Sequence, residues 1–523
     1  ILIFNYSFSQ LKTNKAKVNW GQELKENKRM LLSDIVGYDN TGYYAVQTKY
    51  GVSYITSNKL IIESYTNDGN LKLSKELTLE SNGKERNYEF IVQLKEELYL
   101  FTSFSNRKTQ KSYLFYQQLN KKTLEVKGQP IKIAEIDFQK KFNSNSGDFQ
   151  YEQSQDRSKL MIYFNAPYEK KAAEKFGFHI FDTEMNELWT NTITLPYTDQ
   201  LFEVEDFKVS NKGEAYLIGI LYKKRPVKKR FGEPNFTYKV LCYDETGNEK
   251  KRFDIDIPGL FIIDVKIEIE NNDNLVCAGF YSNKNEPGDE FFEDGSFHLK
   301  IDGNTKEVIK ESHLDFTVDF LKQGYRNKIQ NKIEKNTKKG KDTYLMPLYL
   351  NDLYVCKDGS TVLIAEQIKI TVTTSTNSQG VTTTRTRINH NDIYVVKINP
   401  QGEVVWNQKI VKRQVEGGEI GYLSSFVMAE KGDNIYFLYN GRIENLFIKD
   451  GEKLKYFGSS GKKSAVIIAS LDKDGNLKRE TMFMEKEAGV QAIPKVSEQL
   501  DNDKLIIYGK NRKSQRFAVV DFL

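Results

Sequence analysis

Residues 393–410 read IYVVKINPQGEVVWNQKI. An apolar run ends at Ile398, the turn residues Asn399-Pro400-Gln401-Gly402 follow, and a second run carries Trp406. That is two strands joined by a tight turn. The grammar recurs in residues 178–195, FHIFDTEMNELWTNTITL, where Asp182 stands seven residues before Trp189 as Asn399 stands seven before Trp406. Residues 16–24, AKVNWGQEL, hold Trp20 followed by Gly-Gln, close to the Asn407-Gln408 after Trp406. The chain has 3 tryptophans, and all read as one position of one repeat.

Aligned on this hairpin, seven copies fall at residues 60–79, 113–133, 176–195, 238–257, 297–316, 393–410 and 465–483. Their turns are rich in Asn, Asp and Gly, which tolerate the positive backbone angles of tight turns. Each copy follows a second hairpin with an apolar outgoing strand, as in LKEELYLFTSF, NKGEAYLIGILY and KDGSTVLIAEQ. Four antiparallel strands repeating at about 60 residues define a propeller blade. Separate β-sandwiches fit worse, because the units share one turn grammar and lack linkers. The expected fold is all-β, an eight-bladed β-propeller of four-stranded antiparallel blades. Residues 490–523 supply three strands, and residues 18–24 read as the fourth. The strand near Trp20 is thus expected to complete the last blade and close the ring, removing two sheet edges. The expected organisation is a signal-peptide remnant or extension over residues 1–16 and one propeller domain over 17–523, with insertions at 319–342 and 370–390.

The turns between strands one and two and between three and four are short. The long insertions (168–175, 223–236, 283–296, 319–342, 370–390 and 442–463) all belong to the opposite face. One face is plain and the other decorated, and long loops on a rigid scaffold are where function concentrates. Residues 321–341, LKQGYRNKIQNKIEKNTKKGK, carry eight Lys/Arg against one acidic residue. Tyr325, Ile329 and Ile333 make a narrow apolar stripe at helical spacing. With Arg326, Lys328 and Lys332 they read either as a basic helix that docks an anionic partner or, the blander reading, as a solvated charged loop. Lys224, Arg225 and Lys228 add a second basic cluster, and residues 283–294 an acidic one. Both signs on one face fit a protein-docking surface better than a nucleic-acid groove. Residues 368–387, IKITVTTSTNSQGVTTTRTR, alternate β-branched and polar residues around Asn377-Ser378-Gln379-Gly380 and predict a long projecting hairpin. Its contact candidates are Val372, Thr374, Val381, Thr383 and Arg385. Residues 442–463 read as a smaller hairpin around Lys449-Asp450-Gly451.

Chemistry is sparse. Cys242, Cys277 and Cys356 lie on apolar runs without C-x-x-C spacing and read as buried thiols. His179 and His298 each follow a Phe of the repeat and read as structural. Asp472 lies in a turn, since Leu477 stands where an EF-hand loop needs glycine. Glu203, Glu205 and Asp206 are expected to line the central channel. No metalloprotease, nucleophile-elbow or phosphate-loop motif is present. No catalytic, cofactor or metal residue is therefore assigned. The net charge of +6 is small for 523 residues and argues against nucleic acid. No stretch has the length of apolar residues that spans a bilayer. Residues 1–10, ILIFNYSFSQ, resemble the tail of a secretory signal peptide.

The turn-then-Trp pattern resembles pyrroloquinoline-quinone-type propeller repeats at Asn399, Gly402 and Trp406, at Asp182, Asn186 and Trp189, and at Trp20. No repeat carries the full motif, so that resemblance implies neither quinone nor metal. WGQELKE, DIVGYDNTGYYAV, FGFHIFDTEMNELW, LVCAGFYS and IYVVKINPQGEVVW look more like exported β-propeller proteins of Bacteroidota. One such propeller caps the periplasmic end of the type IX secretion translocon. The resemblance implies a periplasmic, non-enzymatic subunit that docks a larger cell-envelope protein through its decorated face. The absence of an appended C-terminal sorting domain fits a resident part of such an assembly. The alternative is a propeller that binds or hydrolyses a glycan or small molecule at the channel mouth.

Overall fold

The computed structural model describes residues 12–26, 30–49, 59–81, 83–137, 148–224, 229–230, 233–283, 293–339, 346–380, 382–417, 422–458, 463–500 and 503–523. Eight antiparallel sheets succeed one another along the chain, here blades I to VIII. Blade I is Met30–Asp39, Gly42–Lys49, Lys59–Thr66 and Leu71–Thr78 in that spatial order. The first strands of the next six blades are Asn87–Leu94, Asp148–Gln153, Phe202–Val209, Leu260–Ile269, Leu348–Val355 and Val427–Lys431. The chain thus forms the expected eight-bladed propeller.

The second strand of each blade is apolar on both faces because both flanks meet another blade. Leu275–Asn283 sends Cys277 and Tyr281 toward blade IV, and Val276 and Phe280 toward blade VI. Eight apolar clusters each join one blade to the next. One closes the ring: Ile35, Tyr43 and Tyr65 of blade I pack on Ile506, Tyr508 and Phe517 of blade VIII. Phe517 meets Tyr65 edge-on at 4.6 Å and Tyr43 at 5.4 Å. Burying each such ring stabilises the fold by about 1.5–3 kcal/mol.

Blade VIII is composite. Ala16–Trp20 pairs antiparallel with Ser514–Phe522, Val18 opposite Val520, and Leu24–Lys25 continues along the same strand. The expected strand exchange is present, but Trp20 is not the equivalent of the other two tryptophans. Trp189 and Trp406 face the following blade. Trp189 donates to the Gly213 carbonyl at 2.8 Å and Trp406 to the Lys473 carbonyl at 3.0 Å. Trp20 pairs with Ala518 and packs backward on Phe483 of blade VII, centroids 5.1 Å apart. Side chains alternate between faces along a strand, so a one-residue slip in alignment turns a tryptophan to the other side. The three cysteines are buried and unpaired, as expected.

Candidate docking face

The third and second strands of blade VI run far past the blade. Thr361–Thr376 and Thr382–Ile398 stay paired from Thr361–Ile398 out to Thr376–Thr382. The outer half is a two-faced ribbon. Ile370, Val372, Thr374 and Thr376 stand opposite Ile388, Thr386, Thr384 and Thr382, a β-branched face with threonine hydroxyls 3.0 Å apart at its tip. The other face carries Lys369, Thr371, Thr373, Arg385 and Arg387, without a carboxylate. Ile370 and Val372 are 56% and 60% exposed. The candidates Val372 and Thr374 therefore lie on the β-branched face, and Thr383 and Arg385 on the polar one. Val381 falls outside the described residues.

The ribbon base is built on buried charge. Glu366, on the second strand, accepts from His390 Nδ1 at 2.9 Å and from Ser425 Oγ at 3.0 Å, and pairs with Lys412. Lys412 also donates to Gln414 Oε1 at 2.9 Å. Burial alone would raise the Glu366 carboxyl; Lys412 and His390 overcome it and hold it at about 2. Beside it, Asp392 accepts from the Lys412 backbone at 3.1 Å and pairs with Arg413. Both oxygens of Glu366 are engaged, whereas Asp392 bonds through Oδ1 alone and its buried Oδ2 has no partner; such buried pairs fix geometry even where their net stabilisation is small.

The basic insertion is ordered and docked; the solvated-loop reading is overturned. It forms α1, Val318–Lys322, and α2, Asn327–Thr337. Thr317 caps α1 through Phe320 N, and Phe320 buries its ring against Phe316 and Tyr394. Lys322 bridges to Glu334 at 2.8 Å, tying α1 to α2. Blade VI holds the insertion by Arg413 Nη2 on the Gly324 carbonyl at 2.8 Å and Lys409 Nζ on the Leu321 carbonyl at 2.9 Å. Blade VII holds it by Asp450, which accepts from Gly324 N at 3.1 Å and Gln330 Nε2 at 2.9 Å. The stretch expected to form a small hairpin around Asp450-Gly451 is instead a 3-10 turn, Ile443–Leu446, and an irregular loop, because its backbone serves α2: Asn327 N donates to the Gly451 carbonyl at 2.8 Å.

This docking sorts the candidates. Ile333 is buried, and Ile329 and Tyr325 are half-buried, with the Tyr325 ring under Arg413. Their stripe faces the protein's own surface. Arg326, Lys328 and Lys332 are exposed, as is Lys335 one turn on. Lys224 is exposed; Arg225, Lys228 and most of the acidic stretch 283–294 fall outside the described residues.

The inner strands carry a feature read only in part from the sequence. In blades I, IV, V and VI a bulge is followed by Asp34, Asp206, Asp264 and Asp352. Asp206 and Asp352 each accept from the next backbone N–H at 2.9 Å, satisfying a donor that the bulge disturbs. The signal is the recurring x-Asp-apolar sequence SDIV, EDFKV, IDVKI and NDLYV. Lys208 lies between Glu152 at 3.1 Å and Glu268 at 3.0 Å, joining three successive inner strands. Burial raises Glu152 to about 7 despite that contact. Among the described residues no group of three His, Cys, Asp or Glu side chains could hold a metal ion, and no helix is long and apolar enough to cross a membrane.

No family model and no curated protein matches this chain. Among solved structures it is similar to a protein of unknown function from Bacteroides caccae, at 9% identity over 68% of this chain and 90% of that one, TM-score 0.28. It is similar to the polysaccharide lyase Uly1, at 10% identity over 97% and 100%, TM-score 0.36. It is similar also to an ulvan lyase of polysaccharide lyase family 25, at 7% identity over 88% and 97%, TM-score 0.36. At these values the likeness assigns this chain neither a substrate nor an activity, and the propeller stands on its own sheets and interblade clusters.

Proposed function

We propose that this propeller is a non-enzymatic scaffold subunit, exported to the periplasm, that docks a cell-envelope protein through its decorated face. The observation that carries the reading is the ribbon of blade VI. At its base the third strand is already paired by Gln414–Gly417 over Arg387–His390; beyond that the ribbon is two-stranded, exposed on both faces and marginal by itself, and its edges offer backbone groups for strand addition. Here it is anchored by a fully buried ionic base and presents one β-branched and one basic face. The exposed cations of α2 stand on the same decorated side. The surface fits an acidic protein partner that contributes a strand or an apolar strip, such as an outer-membrane secretion channel.

The test replaces residues 372–386 by an Asn-Gly turn, which keeps Thr371 opposite Arg387, and compares both proteins by crosslinking and co-purification from native envelope. The expected result is an unchanged melting temperature and loss of one specific envelope protein from the eluate. Retention of the same partner by the shortened protein overturns the assignment.

A further inference from the structure

In the crevice between blades I and II lies a cavity of about 300 Å³ lined by Thr78, Leu79, Arg86, Leu100, Thr102 and Gln117, with Glu80, Val126, Gly128, Gln129 and Pro130 completing the wall. Arg86 opens the path into the first strand of blade II, its backbone N–H held by the Leu79 carbonyl at 2.7 Å. Its side chain is 9% exposed, and neither Nε nor Nη1 has a hydrogen-bond partner. The guanidinium stacks 3.9 Å over the Phe115 ring. Thr102, 2% exposed and directly opposite Phe115 on the neighbouring strand, also has a hydroxyl without a partner. Gln117 is fixed by its own bond to the Gly128 carbonyl at 2.9 Å.

A guanidinium stays charged at any physiological pH. Burying it with three N–H bonds unmet costs several kcal/mol unless an anion joins it. Among the described residues Arg86 has no ion-pair partner: Glu80 lines the cavity without pairing to it, and only burial acts on the guanidinium. Buried unsatisfied groups in folded proteins call for a specific cause, and two of them facing one cavity point to the same cause. The walls say what kind. Leu79, Leu100, Val126 and Pro130 give the mostly polar cavity an apolar strip, and its volume, at the small end of ligand sites, is more than a bare inorganic ion fills. Arginine forks match planar carboxylates.

We infer that this crevice is a binding site for a small organic carboxylate, its carboxyl on Arg86 and Thr102 and its body against Leu79, Leu100 and Val126. The site is separate from the ribbon of blade VI and independent of the docking role.

The test is thermal unfolding and calorimetry in chloride-free buffer with sodium benzoate, sodium glucuronate and sodium sulfate, on wild type, Arg86→Met and Thr102→Val. The expected result is saturable stabilisation of wild type by a carboxylate, weakened at least about tenfold in Arg86→Met and severalfold in Thr102→Val. Arg86→Met, which keeps an apolar contact on the Phe115 ring and removes the unpaired charge, is expected to melt at or above wild type without ligand. Three outcomes overturn the proposal: no saturable carboxylate effect, sulfate acting as well as the carboxylates, or Arg86→Met retaining the full carboxylate shift.

Discussion

Lys412 and Glu366 form an ion pair closed to solvent, with side chains 1% and 0% exposed, where the projecting ribbon leaves blade VI. Lys412 comes from the corner after the fourth strand and Glu366 from the second, so the pair joins the outer edge of the blade to its middle.

Removing one partner leaves the other buried and unpaired, which costs about 3–5 kcal/mol. Glu366→Ala is expected to lose that much in denaturant unfolding, and the amides flanking residues 366–370 and 386–390 are expected to exchange hydrogen faster than those of blade III. The pH dependence has a defined sense. Glu366 titrates near 2 in the folded protein against 4.5 unperturbed, so the unfolded chain binds the extra proton between those values. Its contribution is complete above about pH 4.5 and is lost as the pH falls toward 2. Wild type is expected to show that acid-limb loss, and Glu366→Gln to show less of it.

Lys409 is the opposite case. Burial pulls its ammonium down to about 7, while the Tyr394, Phe320 and Tyr325 rings within 4.7–5.7 Å favour the charged form. The unfolded chain holds more protons between pH 7 and 10.5, so stability rises with pH across that window. Lys409→Met fills the same aromatic sleeve without charge but gives up the bond to the Leu321 carbonyl, and is expected to stay within about 1 kcal/mol of wild type at pH 7. Its stability relative to wild type is expected to fall between pH 7 and pH 9, measured as paired melting temperatures.

Gly475, φ +78°, lies under the Trp406 ring, where an added Cβ would come within 2.8 Å of it. Gly247, φ +82°, repeats the arrangement with Trp189 at 2.7 Å. Either residue changed to Ala combines a left-handed backbone with a steric clash and is expected to cost about 1–3 kcal/mol. In Gly475→Ala, tryptophan fluorescence is expected to report a loosened Trp406. The Gly475→Ala/Trp406→Leu double change is expected to cost less than the sum of the single ones.

Val18 sits in the seam of blade VIII, opposite Val520. Asn19, the next residue, faces Val519 in a hydrogen-bonded pair, in phase with the Gly21 N–H on the Phe517 carbonyl; Asn19→Pro removes that ladder donor and is expected to free the edge of Ser514–Phe522, seen as concentration-dependent self-association in size-exclusion chromatography.

The blades were legible because each needs Asn, Asp or Gly at its turns; Asp472, for instance, accepts from the N–H groups of Asp474 and Asn476 at 3.0 and 2.9 Å. The composite blade followed from counting strands. The facing of Trp20 did not, since a strand's sequence motif does not record which neighbour it packs on. The helical spacing of Ile329 and Ile333 was readable, but its direction depended on Arg413 and Asp450, about one hundred residues away in the chain. Asp34, Asp264 and Asp352 could have been found beside Asp206 from the repeated x-Asp-apolar pattern. Nothing in the sequence marked Arg86, whose significance lies in what it fails to touch.

The seam between Ala16–Trp20 and Ser514–Phe522 also sets a folding order. Its partners are the most distant in sequence of any strand pair described, and such contacts form late. A chain emerging from its first residue must hold residues 16–20 unpaired until residue 520 follows, with the flank of blade VII bare meanwhile. The slow step in acquiring the native ring is thus the meeting of these two strands, and the interval before it is when a chaperone has most to protect.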